Sequence, residues 1–184
     1  MDEIKEQLGA GDASSLSIQL ITGERWVLLR PRLLAFLARV GDKRITVAAL
    51  AALRQLEPRQ LAAPGYAVAA ALEQGRLVGF AAALQHGQEA CLLAVHPQYR
   101  GRGIGSLLLQ AMLRRCGWLQ GEVALDNTSS LAACFRCGMK AVALLRGPTG
   151  KPTLRMEGAW QPGSRRIATL EEEGTRWQSP SSGL

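Results

Sequence analysis

Glycine and arginine alternate in residues 100–105, which read Arg-Gly-Arg-Gly-Ile-Gly. Glycine has no Cβ, so it lets a backbone curl and come close to a ligand. A short apolar run precedes the segment and a helical pattern follows it. The first turn of a helix has free N–H groups and the positive end of the helix dipole. The spacing, with the charges of Arg100 and Arg102, therefore predicts a loop that binds a phosphate or pyrophosphate.

Other glycine-rich phosphate loops have different requirements. A P-loop needs GxxxxGK followed by serine or threonine, and this segment has no lysine. The dinucleotide fingerprint GxGxxG is met by Gly101 and Gly103 but finds Ser106 at its third glycine. On spacing alone, an ordinary tight connection between a strand and a helix is an equally good interpretation.

The residues around the loop resemble the cofactor-binding motif of the GNAT superfamily of acetyltransferases. That motif is Q/R-x-x-G-x-G/A, and Arg100, Gly103 and Gly105 match it. The valine, proline and aromatic residue that precede the motif are also present, as Val95, Pro97 and Tyr99. The resemblance extends over roughly residues 17–160 and is firmest after about residue 66.

A second segment is similar to the same family. GNAT proteins often carry N-x-x-A-x-x-L-Y-E-K-x-G-F after the next strand, and Asn127, Arg136 and Gly138 keep its asparagine, basic residue and glycine. The family's common tyrosine, often the acid that protonates the leaving thiolate, is Cys134 here. Because the two segments have the family's separation, the pair is more specific than either segment alone.

The resemblance implies acetyl-coenzyme A as co-substrate, and no metal. Backbone amides of residues 101–106 would hold the pyrophosphate, while the pantetheine arm would pair with the strand before the loop, at residues 93–95. That strand and the next would splay apart to admit the arm. The implied cofactor-binding residues are Leu93, Ala94, Val95, Arg100, Gly101, Arg102, Gly103, Ile104, Gly105, Ser106 and Asn127.

Acetyl transfer to an amine requires a base, because only the neutral amine is nucleophilic. Glu89 lies six residues before Val95, at a place similar to that of a catalytic glutamate in the histone-acetylating members of the superfamily. We take Glu89 as the candidate general base. A solvated glutamate at the start of a strand, with a water as the base, is the alternative.

Cys134 is the candidate acid by its position only. A thiol with a pKa of about 8.5 can donate a proton, but a buried apolar cysteine is the preferred interpretation.

Cys134 and Cys137 form a CxxC pair, which is found in redox and zinc sites. A zinc site needs about four ligands, and the other cysteines have no matching spacing. A redox pair normally opens its helix, whereas this pair lies near a helix end.

Composition limits the other possibilities. The chain has 184 residues, of which 47% are hydrophobic, enough for one domain with a core. No run reaches the roughly 20 apolar residues of a membrane span, and the acidic start is unlike a secretory signal, so we expect no membrane partner and a cytoplasmic location. The net charge is +7, but aromatic residues are only 5%, which argues against a nucleic-acid partner.

Hydrophobic periodicity predicts a strand, two helices, three strands, a helix, a strand, a helix and two strands. Pro31 should start or bend the first helix, and Ser106 should begin the third. With the resemblance, the fold class is α/β: a GNAT fold with a mixed, mostly antiparallel sheet of about six to seven strands between helices, splayed at the cofactor strand. The predicted parts are a flexible leader at 1–16, the domain at 17–160 and a polar tail at 161–184.

The resemblance therefore implies an N-acetyltransferase that acts on a primary amine of a small molecule, a peptide or a protein N-terminus. The alternative is a non-catalytic, acyl-CoA-binding regulatory module. With either function, we expect the protein to be a monomer or a homodimer. The helices near the acceptor site are basic, and the sequence shows no acidic cluster there. An acceptor with a carboxylate or phosphate is therefore expected in preference to a polycation.

Overall fold

The computed structural model describes residues 16–41, 45–148 and 150–162. Nearly all of the predicted leader and tail lies outside the described residues. The elements follow the predicted order. They are β1 (Leu16–Leu20), α1 (Gly23–Val40), α2 (Val47–Gln55), β2 (Ala67–Glu73), β3 (Arg76–Leu84), β4 (Ala90–Val95), α3 (Ile104–Cys116), β5 (Trp118–Ala124), α4 (Thr128–Arg136), β6 (Lys140–Arg146) and β7 (Pro152–Ala159).

The strands form two sheets that meet between β4 and β5. One sheet has the order β1-β2-β3-β4 and the other β5-β7-β6, and every ladder between described strands is antiparallel. β4 and β5 approach each other near Cys91 and Gly121, but among the described strands they share no ladder. The predicted α/β fold, mostly antiparallel and splayed beside β4, is confirmed.

The four-stranded sheet lies between two helical layers. One face packs against α1 and α2 and the other against α3, with β2 and β3 buried on both faces. Alanine makes this possible in β2, where small side chains let both layers approach closely. β4 is buried at Ala90, Leu92 and Ala94, whereas Leu93 and Val95 are only partly covered.

Pro31 was predicted either to start or to bend the first helix. It lies inside α1 and does not begin it, which excludes a start at this residue. Trp26 and Leu29 lie before the proline and are buried in the same core as Leu33 after it. Burial of that apolar face therefore outweighs the hydrogen bond that proline removes. α3 begins at Ile104 and not at Ser106, because Ile104 is itself a core residue and is only 1% exposed.

No helix within the described ranges is long and apolar enough to cross a membrane.

Gly87 fixes the junction between the two sheets, and its replacement by alanine is expected to destabilise the fold. Its φ is +90°, and a Cβ there would overlap the carbonyl oxygen of Gln120 in β5. Backbone strain and overpacking together should lower the free energy of unfolding by about 2–4 kcal/mol, measured by urea denaturation. Gly138→Ala is the control, because φ is +77° there but the space is open. Equal losses in the two variants would contradict the steric role of Gly87.

Candidate functional site

The loop between β4 and α3 presents an open, concave backbone. Gly101 and Gly103 have φ of +77° and +79°. A Cβ at either position would have nothing within 4 Å among the described residues. This left-handed conformation favours glycine, and the space that side chains would occupy stays open to a ligand. The geometry fits an anion held against the backbone.

The first turn of α3 supplies the donors. Gly103 is the residue before the helix, and within the described chain the amides of Ile104 and Gly105 donate to no backbone acceptor. The Ser106 amide, which was also predicted to bind the cofactor, donates to the Gly103 carbonyl at 2.9 Å. The open donors are therefore the amides of the two residues that precede Ser106. They point out of the helix at its positive end, where an anion is stabilised.

The loop and β4 are brought together as predicted. A Cβ on Gly105 would stand 3.6 Å from Leu93 Cδ2 and 3.9 Å from Val95 Cγ2. Ala94 is 7% exposed and Ile104 is 1% exposed. These two residues therefore have only backbone atoms to offer a ligand. The edge of β4 that faces β5 carries no ladder in the described structure, so it can accept an extended ligand as a further strand.

Both arginines of the loop form hydrogen bonds to other groups of the protein. Arg100 Nε donates to the Val95 carbonyl at 3.1 Å, which ties the loop to the end of β4. Both Nη atoms of Arg102 donate to the Glu73 carboxylate. The Arg102 guanidinium also lies 5.4 Å from the centre of the Tyr99 ring. The positive charge predicted for this loop is therefore partly neutralised by a carboxylate on β2.

Asn127 caps α4. Its Oδ1 accepts the Ser130 amide at 3.3 Å and the Ser129 hydroxyl at 3.2 Å. Its side-chain NH₂ has no hydrogen-bond partner in the described part of the chain, so it can still donate to a ligand. At the other end of α4, Arg136 Nε donates to Ser106 Oγ at 3.2 Å. This bond docks α4 against the first turn of α3.

Cys134 is a core residue in this structure. It is 6% exposed, and burial raises the pKa of its thiol to about 11. Burial likewise raises the pKa of Cys137 to about 12, and its thiol donates to the Ser106 carbonyl at 3.4 Å. Thiols of this kind are not reactive thiolates. No group of three or more potential metal ligands occurs in the described ranges.

Glu89 lies directly before β4 and opens onto a pocket of about 390 Å³. Its Oε2 accepts a hydrogen bond from Gln85 Nε2 at 3.3 Å. The pocket lies between the end of α2, the turn Pro58–Ala62 and the β3–β4 connection. Its lining residues are Ala52, Gln55, Leu56, Glu57, Arg59, Gln60, Leu84 and Glu89. A polar molecule can reach the Glu89 carboxylate through this opening.

Sequence reasoning missed three charged residues of the site. Glu57 shares the pocket with Glu89, and its Oε2 lies 2.7 Å from Arg59 Nε. Two carboxylates and one guanidinium thus line a pocket in a region that showed no acidic cluster in sequence. Glu73 and Arg136 were missed as partners of the loop and of α3. No local signal marks such pairs, because their partners are distant in sequence.

The site falls within a recognised domain. The family model of the GNAT acetyltransferase domain matches residues 64–136, which include the loop, β4, Glu89, Asn127 and Cys134. The N-alpha-acetyltransferase RimI of Mycobacterium tuberculosis is 36% identical over 96 residues. That match covers 48% of this chain and 61% of RimI.

Solved structures share the fold at lower identity. An acetyltransferase of the GNAT family from Streptococcus pneumoniae superposes with a TM-score of 0.62 at 16% identity, over 79% of this chain and 99% of the other. The protein yncA of Salmonella typhimurium, solved with its cofactor acetyl-CoA, has a TM-score of 0.54 at 21% identity, over 85% of this chain and 100% of the other. Both likenesses extend beyond residues 64–136 and establish the fold of the chain.

Proposed function

We propose that the chain is an N-acetyltransferase of the GNAT superfamily, whose domain model matches residues 64–136. It transfers an acetyl group from acetyl-CoA to a primary amine of a small molecule, a peptide or a protein N-terminus. One observation carries the proposal: the glycine cradle at the start of α3 adjoins the edge of β4 that has no ladder to any other described strand. A pyrophosphate joined to an extended amide-bearing arm matches that combination.

The binding step uses the backbone. The amides of Ile104 and Gly105, with the helix dipole behind them, hold the pyrophosphate. The pantetheine arm lies along residues 93–95 and hydrogen-bonds to the free edge of β4. Because the pyrophosphate lies beyond Val95, the thioester end of the arm would lie toward the start of β4, where a backbone N–H of the free edge would donate to the thioester carbonyl as negative charge develops during transfer. Asn127 donates through its side-chain NH₂.

In the transfer step, the bond that forms to the amine nitrogen replaces the bond that breaks to the coenzyme A sulfur. A proton leaves the amine for Glu89, directly or through one water, and the amine nitrogen attacks the thioester carbonyl carbon. A C–N bond forms, the C–S bond breaks, and coenzyme A leaves as a thiolate that takes a proton from solvent. The pocket beside Glu89 is the route by which the acceptor amine reaches the base, with Glu57 adding negative charge that attracts an ammonium group.

Calorimetric titration with coenzyme A, followed by an amine screen, tests the proposal. We expect a single site per chain, and release of free thiol from acetyl-CoA when a suitable amine is present. The panel should contain peptides with free N-termini, single amino acids and polyamines. Absence of coenzyme A binding at millimolar concentration would remove the proposed function.

The second candidate is a module that binds acyl-CoA without transferring the acyl group. The absence of a tyrosine at position 134 favours it, because the buried Cys134 thiol is a weak acid. Tight binding of acetyl-CoA without thiol release, for every amine in the panel, would support this candidate. Thiol release with any single amine would exclude it.

Replacing Cys134 with alanine is expected to leave kcat within about threefold of the unchanged enzyme. The pKa of the thiol is raised to about 11 by burial, so it is a weaker acid than an ordinary thiol and a poor donor to a departing thiolate. Initial rates at saturating acetyl-CoA measure the effect. Thermal unfolding should show only the modest loss of a small buried side chain. A drop in kcat of more than about 30-fold without unfolding would make Cys134 a participant.

A further inference from the structure

Arg102 has a carboxylate partner in a loop built for phosphate. We propose that a phosphate group of the cofactor replaces Glu73 as the partner of the Arg102 guanidinium, so that Glu73 weakens cofactor binding by competition. This inference rests on the proposed function, and it assigns Glu73 a role in setting affinity for the phosphate-bearing ligand.

The two residues of the pair differ in how firmly they are held. Glu73 is the last residue of β2, where it pairs with Leu16 in β1 and Arg76 in β3. Its side chain is only 19% exposed, whereas that of Arg102 is 49% exposed. Arg102 stands between Gly101 and Gly103, in a loop with open surroundings. If the pair separates, Arg102 is therefore the member that moves.

The contact with Glu73 occupies the part of Arg102 that a phosphate would use. Nη1 donates to Oε2 at 3.0 Å and Nη2 donates to Oε1, a two-pronged contact. A phosphate accepts the same fork. Because the Arg102 end of the pair is 49% exposed, solvent screens the pair and its net contribution to stability is small. A phosphate already held by the amides of Ile104 and Gly105 can therefore displace the carboxylate.

The other nearby cations have neutral partners. Arg100 donates to the Val95 carbonyl and Arg136 to the Ser106 hydroxyl. A phosphate does not have to displace a negative charge from either of them. The Tyr99 ring, 5.4 Å from the Arg102 guanidinium, also stays in contact as the guanidinium turns, because a cation is attracted to the whole ring face.

A simple tether is the competing interpretation, and it predicts the opposite sign. If the pair only keeps the loop in shape, its loss makes the loop more mobile and weakens binding. If the pair competes with phosphate, loss of the carboxylate strengthens binding. The direction of the change in Kd therefore separates the two.

Calorimetric titration of the full chain with coenzyme A tests the exchange. We expect Glu73→Gln to lower Kd about three- to fivefold, the scale of an exposed ion pair. Arg102→Gln should raise Kd about three- to tenfold through loss of a charge-assisted contact. The double variant should match Arg102→Gln, because Glu73 acts only through Arg102. An unchanged or higher Kd for Glu73→Gln would overturn the proposal.

Dephospho-coenzyme A, which lacks the 3′-phosphate, identifies the phosphate concerned. If Glu73→Gln also lowers the Kd for dephospho-coenzyme A, the pyrophosphate is the incoming partner of Arg102. If Kd falls only for coenzyme A, the 3′-phosphate is the partner. Either result supports exchange at Arg102.

Glu122→Gln is the matched control. It removes one carboxylate from another ion pair with a partly exposed guanidinium, Arg155 Nη2 to Glu122 Oε1 at 2.9 Å, on the other sheet. We expect its Kd to equal that of the unchanged protein, and equal tightening in both variants would overturn the proposal as a general charge effect. If the unchanged protein binds coenzyme A but Glu73→Gln does not lower its Kd, only the exchange fails. If the unchanged protein binds neither coenzyme A nor dephospho-coenzyme A, the proposed function fails as well.

Discussion

Replacing Gly103 with valine is expected to abolish measurable binding of coenzyme A, with Kd raised at least about 100-fold, or about 2.7 kcal/mol. φ is +79° at Gly103, and nothing lies within 4 Å of the position that a Cβ would take. A valine side chain would therefore fill the cradle itself instead of colliding with the protein. It would also strain the backbone from which the helix donors start.

Gly117→Val separates the two effects of that substitution. Gly117 has a φ of +81° and equally open surroundings, but it follows the opposite end of α3. A helix rises about 1.5 Å per residue, so this glycine is far from the cradle. Both variants should lose similar stability in thermal unfolding, while Gly117→Val keeps Kd within about twofold. Tight binding by Gly103→Val would show that the loop is not the cofactor site.

The open glycine loop before α3 could be predicted because its signal is local. Three glycines, the following helix and the preceding strand are consecutive in sequence, and a ligand held by backbone amides needs no distant side chain. The order of the elements was predicted for the same reason. Asn127 as the cap of α4 also follows from a local rule, since its Oδ1 reaches an amide three residues later.

The contacts that modify the site could not be predicted in this way. Glu73 meets Arg102 because the β2–β3 hairpin ends beside the loop, and Glu57 and Glu89 line one pocket because α2 packs over β4. Both contacts depend on how the helices and the sheet pack. The uninterrupted helix through Pro31 has the same origin, since burial of its apolar face decides the outcome. Tertiary packing therefore adds charged partners near the loop and the pocket that the sequence alone did not predict.

Replacing Glu89 with glutamine is expected to lower kcat about 100- to 1000-fold, the usual contribution of a general base. Glutamine keeps the shape and the hydrogen bond that Gln85 Nε2 donates to Oε2, but it cannot take a proton. Kd for coenzyme A should stay within about twofold, because the cradle lies at the other end of β4. With no base in the protein, the residual rate should rise about tenfold per pH unit as hydroxide replaces it.

Glu57→Gln tests whether the effect comes from proton transfer or from charge. Glu57 lines the same pocket, and its carboxylate faces Arg59 at 2.7 Å. Both variants remove one negative charge, so a purely electrostatic role would lower their rates alike. We expect Glu57→Gln to change kcat less than about threefold and to act mainly on KM for a cationic amine. If Glu89→Gln instead keeps more than about a third of kcat, a water is the base and Glu89 is a solvated residue at the start of β4.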